Sequence, residues 1–216
     1  MITRDFYKVL IVGSSGQGKT YSFRNLDDAT TGFINVEDKP LPFKKNFKVH
    51  LRPRTASDVI SALVQVAKDT DIKTIVIDSF SAYMDMVLAE ARATKKGFDV
   101  WSTYNEEIAK FHSLIKRIQK EIFVTGHYEI LNLEGASEKR LRVQGKENEG
   151  QVEKHYTIVM YADSKQTTEG KRPEHYFKLT GEGISAKCPP DIFGEDVLVI
   201  PNDGKFIVDK IEEFTK

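Results

Sequence analysis

The stretch Gly13-Ser14-Ser15-Gly16-Gln17-Gly18-Lys19-Thr20 decides how the rest of the sequence is interpreted. Its spacing is a glycine, four residues, and then glycine, lysine and threonine, which is the pattern of a phosphate-binding P-loop. The apolar run 7–12 before it predicts a buried strand, and residues 20–26 after it predict a short helix. A chance glycine-rich turn is the alternative. The strand and helix on either side favour a site for a nucleoside triphosphate.

Each part of this loop has an expected role. The glycines let successive backbone N–H groups turn toward a phosphate, and the start of the following helix adds partial positive charge. Lys19 is expected to reach the β- and γ-phosphates, and the Thr20 hydroxyl is expected to ligate Mg²⁺. The whole stretch 13–20 is therefore the predicted nucleotide-binding segment.

Composition places the chain among ordinary globular proteins. Of its 216 residues, 40% are apolar and 30% are charged, which predicts one domain over residues 1–216. Lys plus Arg and Asp plus Glu both number 32, so a polyanion would need a local basic patch. Cys188 is the only cysteine, which excludes an internal disulfide. The N-terminus does not resemble a signal peptide, and no apolar run approaches the roughly 20 residues of a membrane span. We expect a cytoplasmic protein without membrane contact.

Strands and helices alternate through residue 127, which predicts an α/β fold with a mostly parallel central sheet flanked by helices. The predicted strands after the P-loop are 33–36, 47–51, 74–77, 122–127, 156–161, 175–179 and 197–200. The predicted helices are 55–69, 82–95, 101–122 and a last one through Phe214. Residues 130–143, with Gly135 near the middle, predict a hairpin. The strand-rich part after it is expected to extend one edge of the sheet.

Asp78 follows the β-branched apolar run 74–77, which is typical of a strand covered on both faces. A carboxylate at the end of such a strand, in a chain with a P-loop, is placed as a Walker B aspartate that holds Mg²⁺. The alternative is that Asp78 caps the next helix through the N–H of Phe80 or Ser81. Together with Thr20, the metal role is favoured.

The residue after Asp78 is a serine, Ser79, where many P-loop ATPases carry their catalytic acid. Glu37 ends the strand 33–36 and is the best-placed alternative for orienting a water molecule. The carboxyl ends of neighbouring strands meet at the nucleotide, which supports this choice. Asp38 is the second candidate, and a solvated loop acid is the alternative for both residues.

Residues 13–20, 33–37 and 74–79 together resemble the core of the RecA-like ATPases. The resemblance implies that Glu37 activates water. It also implies that His127, at the end of the strand 123–127, senses the γ-phosphate. RecA carries a glutamine there, so His127 departs from its pattern, and a histidine bonded to a backbone carbonyl is the alternative.

Chain length, His127 and the tail 185–190, Ser-Ala-Lys-Cys-Pro-Pro, are more similar to the small phage-encoded RecA-like ATPases associated with single-strand annealing. Such proteins complete their sites between subunits with a basic residue, which implies a homo-oligomer, either a ring or a filament. Lys187 is the first candidate for that residue, followed by Arg172 and Lys178. A solvated surface base is the alternative for each.

The predicted hairpin carries a basic cluster where a RecA-like protein places its DNA-contacting loops. The cluster consists of Lys139, Arg140, Arg142 and Lys146, and its nearest aromatic residues are Tyr128 and Tyr156. Phosphate contacts need basic residues, and single strands also favour stacking rings. The acids Glu134, Glu138, Glu147 and Glu149 dilute the cluster, so a solvated charged hairpin is the alternative.

Three functions remain open on the sequence. The leading one is a Mg²⁺-dependent ATPase that acts on single-stranded DNA in annealing or recombination. The second is a nucleotide-dependent switch or assembly factor with a protein partner. The third is a P-loop small-molecule kinase, against which stands the absence of an arginine-rich lid, since Arg92 is the only arginine between Asp78 and Arg117. The histidines and the cysteine lack metal-ligand spacing, so zinc is not expected.

Overall fold

The computed structural model describes residues 4–133, 136–148 and 150–216. The strands are β1 (Lys8–Val12), β2 (Thr31–Asn35), β3 (Val49–Leu51), β4 (Thr74–Asp78), β5 (Glu121–Gly126), β6 (Tyr128–Leu133), β7 (Ala136–Leu141), β8 (Ile158–Lys165), β9 (Glu174–Lys178) and β10 (Val199–Pro201). The helices are α1 (Ala56–Lys68), α2 (Phe80–Thr94), α3 (Phe98–Arg117), α4 (Pro190–Phe193) and α5 (Gly204–Phe214).

Eight strands form the central sheet, in the order β10-β9-β8-β1-β5-β4-β2-β3. The pairs from β3 through β8 are all parallel, whereas β9 and β10 join antiparallel to the β8 edge. The predicted mostly parallel α/β sheet, extended at one edge by the C-terminal strands, is confirmed. The P-loop follows β1, so it lies at the carboxyl edge of the sheet, between β5 and β8.

The strands are apolar on both faces because helices cover both faces. Leu10, Ile75 and Val124 face one core, where α1, α2 and α3 pack. Val9 and Phe123, from the opposite face of the same strands, enter a second core with α4, α5 and the segment after the P-loop. Burial on two faces explains why the strands read as continuous apolar runs instead of alternating.

Several boundaries differ from the sequence prediction. The short helix predicted over residues 20–26 is a 3₁₀ helix, Thr20–Asn25. Helix α3 begins three residues before Trp101, directly after Gly97, whose φ of 58° suits the turn that precedes it. The strand predicted from Tyr156 begins at Ile158, because the Tyr156 N–H donates to the Glu153 carbonyl in a 3₁₀ turn.

Strands β6 and β7 pair antiparallel as the predicted hairpin, with Tyr128 opposite Leu141. Its predicted middle residue, Gly135, and the acids Glu134 and Glu149 lie outside the described residues, as does the side chain of Lys146. Within the part of the chain that the structure describes, no helix has both the length and the apolar character needed to cross a membrane.

Candidate functional site

A cavity of about 550 Å³ opens at the carboxyl edge of the sheet, over the P-loop. Strand ends β2, β4 and β5 form one wall, and the segment before β9 forms the other. It is lined by P-loop residues together with Asn35, Glu37, Lys39, Asp78, His127, Arg172 and His175. Parallel strands end at the same edge, so the topology brings together side chains that are far apart in sequence.

The P-loop backbone depends on two of its glycines. Gly16 and Gly18 both have a φ of 82°, a conformation that other residues rarely adopt. A Cβ on Gly18 would also lie 2.9 Å from Cγ of His175 on β9. Gln17 fixes the loop from inside, since its Oε1 accepts from the Ser14 N–H at 2.6 Å. The loop is therefore held in a shape that only this glycine pattern permits.

Lys19 is buried in the P-loop, with 7% of its surface exposed. Its Nζ donates to the carbonyls of Gly13 at 2.8 Å and Ser14 at 2.9 Å. Burial lowers the pKa of Lys19, and the nearby Asp78 and Glu37 carboxylates oppose that shift. The ammonium group thus lies inside the loop, held only by carbonyl oxygens that an anion can replace.

Asp78 ends β4 at the floor of the cavity and is 4% exposed. The Thr20 hydroxyl donates to its Oδ2 at 2.7 Å, and the Thr125 hydroxyl donates to its Oδ1. Burial raises the pKa of Asp78, and the two hydroxyls only partly offset that effect. The alternative capping role falls to Ser79, whose Oγ accepts from the Ala82 N–H at the start of α2.

The surroundings of Asp78 fit a divalent cation. Among the described residues it has no ion pair, so its buried carboxylate is stabilised by hydroxyl groups alone. Oxygen ligands of this kind, a carboxylate beside a hydroxyl, are those that Mg²⁺ takes in phosphate-binding sites. Asp78 and Thr20 would hold the ion between them.

Thr125 is a site residue that the sequence analysis did not single out. It is completely buried on β5 and lies one residue past Val124, which pairs with Ile77. This register places its hydroxyl beside Asp78. Its position at the end of the strand next to β4 was the signal that could have identified it.

Glu37 lies just past β2 and reaches the same cavity. Ser79 Oγ donates to its Oε1 at 3.0 Å, and Lys39 Nζ donates to its Oε2 at 2.6 Å. His127 Nε2 lies 3.8 Å from Oε1, an ion-pair distance. His127, Lys39 and Ser79 together lower the pKa of Glu37 to about 2, against the opposing effect of burial. The carboxylate is ionised and held in place, with His127 beside it.

Asp38, the second candidate for the catalytic acid, turns away. Its φ is 52°, and its carboxylate pairs with Arg52 at 3.3 Å. It does not line the cavity. The backbone turn after Glu37 thus places the first candidate at the cavity and the second candidate away from it.

The three basic candidates have different positions. Lys178 pairs with Asp163 at 2.6 Å, and Gln17 donates to the same carboxylate at 3.4 Å. Arg172 lines the cavity of its own chain. Lys187 is exposed, pairs through its backbone with β8, and is not among the residues around this cavity.

Comparison with known proteins gives a family and a fold. The family model described as an AAA domain matches residues 5–189. Among solved structures, a KaiC-like protein from the hyperthermophilic archaeon Pyrococcus horikoshii is similar, with a TM-score of 0.53 and 16% identity. The match covers 82% of this chain and 79% of that one. No curated protein matches the sequence.

Proposed function

The chain belongs to the AAA domain family of P-loop ATPases, and from that premise we propose that it hydrolyses ATP in a Mg²⁺-dependent reaction coupled to single-stranded DNA. The observation that carries the hydrolysis is the convergence of Lys19, Asp78 and Glu37 on one cavity. We propose in addition that residues 1–216 form one ATPase domain and that it works as an oligomer.

In the proposed reaction, a water oxygen attacks the γ-phosphorus, the bond to the bridging oxygen breaks, ADP leaves, and a water proton passes to an oxygen of the released phosphate. Glu37 accepts a hydrogen bond from the water and orients it, with His127 beside it. Lys19 exchanges its P-loop carbonyls for phosphate oxygens and takes up their charge. When bound at Asp78 and Thr20, Mg²⁺ supplies positive charge at the phosphates.

The proposed DNA contact is the β6–β7 hairpin, which begins one residue after His127. Lys139 Nζ lies 4.9 Å from the centre of the Tyr128 ring, and Arg142 is exposed beside it. The basic side chain suits a backbone phosphate of single-stranded DNA, and the aromatic ring suits stacking by a nucleobase. Arg140 is less free, because it pairs with Glu138 at 2.8 Å.

The oligomer is proposed from Lys187. This residue lies away from the cavity of its own chain and would serve only in a neighbour's site, as the resemblance to RecA-like ATPases implies. A basic residue supplied by a neighbour stabilises charge in the transition state.

The test is phosphate release with and without single-stranded DNA, at low and at moderate salt. We expect stimulation that weakens as salt rises. In Arg142→Glu the DNA concentration for half stimulation should rise about tenfold. The matched control is Arg117→Glu, an exposed arginine in the last turn of α3. Hydrolysis that ignores DNA even at low salt would contradict the DNA role.

A second function is favoured by one observation. Ile130 on the hairpin is 57% exposed, which suits a protein surface better than a phosphate backbone. In that case the hairpin of a nucleotide-dependent switch would bind a protein partner. Ile130→Glu would then abolish binding of the protein partner. DNA would not stimulate ATP hydrolysis in either the wild type or this variant.

A further inference from the structure

We propose that a second cavity beside the P-loop binds the base of the nucleotide and that Asn202 selects adenine there. The inference rests on the proposed nucleotide site and adds its base specificity. The cavity measures about 470 Å³ and is lined by Tyr21, Arg24, His175, Tyr176, Pro201 and Asn202, among others.

The two cavities are neighbours. Tyr21, Pro173 and His175 line both the phosphate cavity and this one. Tyr21 directly follows Thr20, the last P-loop residue, and His175 lies against Gly18. A nucleotide with its phosphates on the P-loop can therefore extend its base toward β9 and β10.

The side-chain amide of Asn202 is buried but makes no hydrogen bond within the protein. It is 4% exposed, and neither its Oδ1 nor its Nδ2 has a hydrogen-bond partner. Burying an unpaired amide is unfavourable, so a donor and an acceptor left together at a cavity indicate a ligand. Asn202 lines the cavity, and its Nδ2 lies 3.2 Å from the position of a Cβ built on Gly18, so the amide is next to the P-loop.

The remaining lining suits a purine. Tyr21, His175 and Tyr176 provide flat rings, and base stacking on such rings is tolerant of base identity. The Nδ1 atom of His175 is buried and also lacks a partner. These rings would hold any base, so selection falls to the amide.

The amide favours adenine over guanine. An asparagine pairs with the N6 amino group and N7 of adenine, whereas the matching edge of guanine carries two acceptors. Arginine is the side chain that reads those two acceptors. Arg24 is already engaged, because Nη1 donates to the carbonyls of Tyr21 at 3.1 Å and Asn202 at 2.7 Å. Its guanidinium also lies 4.4 Å from the centre of the Tyr21 ring.

The experiment measures binding of ATP, GTP and inorganic tripolyphosphate by calorimetry with Mg²⁺, and of adenosine by saturation-transfer NMR. Wild type should bind ATP at least tenfold tighter than GTP. Asn202→Asp should lower ATP affinity about tenfold and remove the preference, with tripolyphosphate binding unchanged. The control Asn46→Asp changes an exposed asparagine and should behave as wild type.

Equal affinities of wild type for ATP and GTP would overturn the proposal, as would a parallel loss of ATP and tripolyphosphate binding in Asn202→Asp. If tripolyphosphate does not bind to the wild type, the proposed nucleotide-binding function of the P-loop is contradicted instead. When Asn202→Asp retains tripolyphosphate binding, loss of adenosine binding supports the base site and unchanged adenosine binding overturns it.

A second variant covers the case in which Asn202→Asp does not fold. Tyr21→Ala changes a residue that is 41% exposed, so the fold should tolerate it. Loss of the stacking ring should weaken adenosine and ATP about fivefold and leave tripolyphosphate unchanged. Unchanged adenosine and ATP affinities in this variant would count against the base site.

Discussion

The carboxyl and amino edges of the central sheet both carry buried charged side chains, but the surroundings of these side chains differ. At the carboxyl edge, Lys19 and Asp78 lie beside a cavity of about 550 Å³. At the amino edge, Lys8, Lys120 and Glu121 are buried among strand ends. The Nζ of Lys8 donates to the carbonyls of Ile118 and Lys120 at 2.9 and 2.8 Å.

The amino edge has a smaller cavity of about 290 Å³, which Lys120 and Glu121 help to line, and its charges are bonded within the protein. Lys120 donates to the carbonyls of Asp69 and Ile72, and Glu121 accepts from the Tyr7 N–H at 2.7 Å. These charges tie the starts of β1, β4 and β5 together. Burial beside a cavity therefore does not by itself mark a functional charge. The carboxyl edge differs because its cavity brings a P-loop, a hydroxyl-bonded carboxylate and a second carboxylate together.

The sharpest test compares two buried lysines. Lys19→Met should lower ATP hydrolysis by about 10³-fold, because it removes a charge that contacts the phosphates. Lys120→Met should keep the activity of the folded protein but lower the free energy of unfolding by about 1–3 kcal/mol, since two carbonyls lose their donor. Phosphate release and urea unfolding check the pair. Similar activity losses in both variants would erase the distinction between the edges.

A half-buried acid, Glu37, and a buried acid, Glu121, give the next comparison. Glu37→Gln should lower the turnover number about 10²-fold with ATP binding retained, because the water loses its carboxylate. Glu121→Gln keeps an acceptor for the Tyr7 N–H and should leave turnover unchanged. Single-turnover hydrolysis together with ATP titration distinguishes them. Normal turnover in Glu37→Gln would remove this residue from the mechanism.

The amino edge should show itself in the pH dependence of stability. Burial lowers the pKa of Lys8 to about 8, below its ordinary value of 10.5. Between these two values the unfolded chain binds a proton that the folded chain has released, so stability rises with pH across that window. The contribution is about 2–3 kcal/mol, and Lys8→Met should remove it. Urea unfolding at pH 7.5 to 10 measures the slope, which must differ between the two proteins.

The smallest expected effect concerns Lys39, which holds Glu37 from an exposed position. Lys39→Met should raise the pKa of Glu37 by about one unit or less, because the partner is well solvated. NMR titration of the Glu37 side-chain carboxyl should show this rise. A Glu37 titration that is unchanged in the variant would show that Lys39 does not influence this carboxylate.

The sequence predicted the sheet because a strand that is buried on both faces has a continuous apolar run, as in residues 74–77. It also predicted which strand ends meet, which is why Lys19, Asp78 and Glu37 were named together. It ranked Glu37 ahead of Asp38, but it could not show the backbone turn at φ 52° that directs Asp38 away from the cavity. Thr125 was missed because its role depends on strand register. The roles of these residues, and those of His127 and Lys187, stay predictions.

Buried polar groups were the hardest to interpret. Lys8 sits within the apolar run that leads to the P-loop, and nothing in its neighbours reveals that three carbonyls surround its ammonium group. The lone amide of Asn202 was equally invisible, because its isolation depends on β10 folding against the P-loop. The local sequence pattern is enough to predict the fold. The partners of a buried charge come from distant parts of the chain, so they can be identified only in the folded structure.

Gly126 contacts both the P-loop and the base of the β6–β7 hairpin. Its carbonyl accepts from the Gly13 N–H at 3.0 Å, and a Cβ on it would lie 2.3 Å from Leu141 at the base of the hairpin. Two contacts thus separate the hairpin from the first P-loop residue. A side chain larger than hydrogen at position 126 would therefore collide with Leu141 and disturb the backbone that holds Gly13, so one residue sets the spacing of the hairpin and the P-loop.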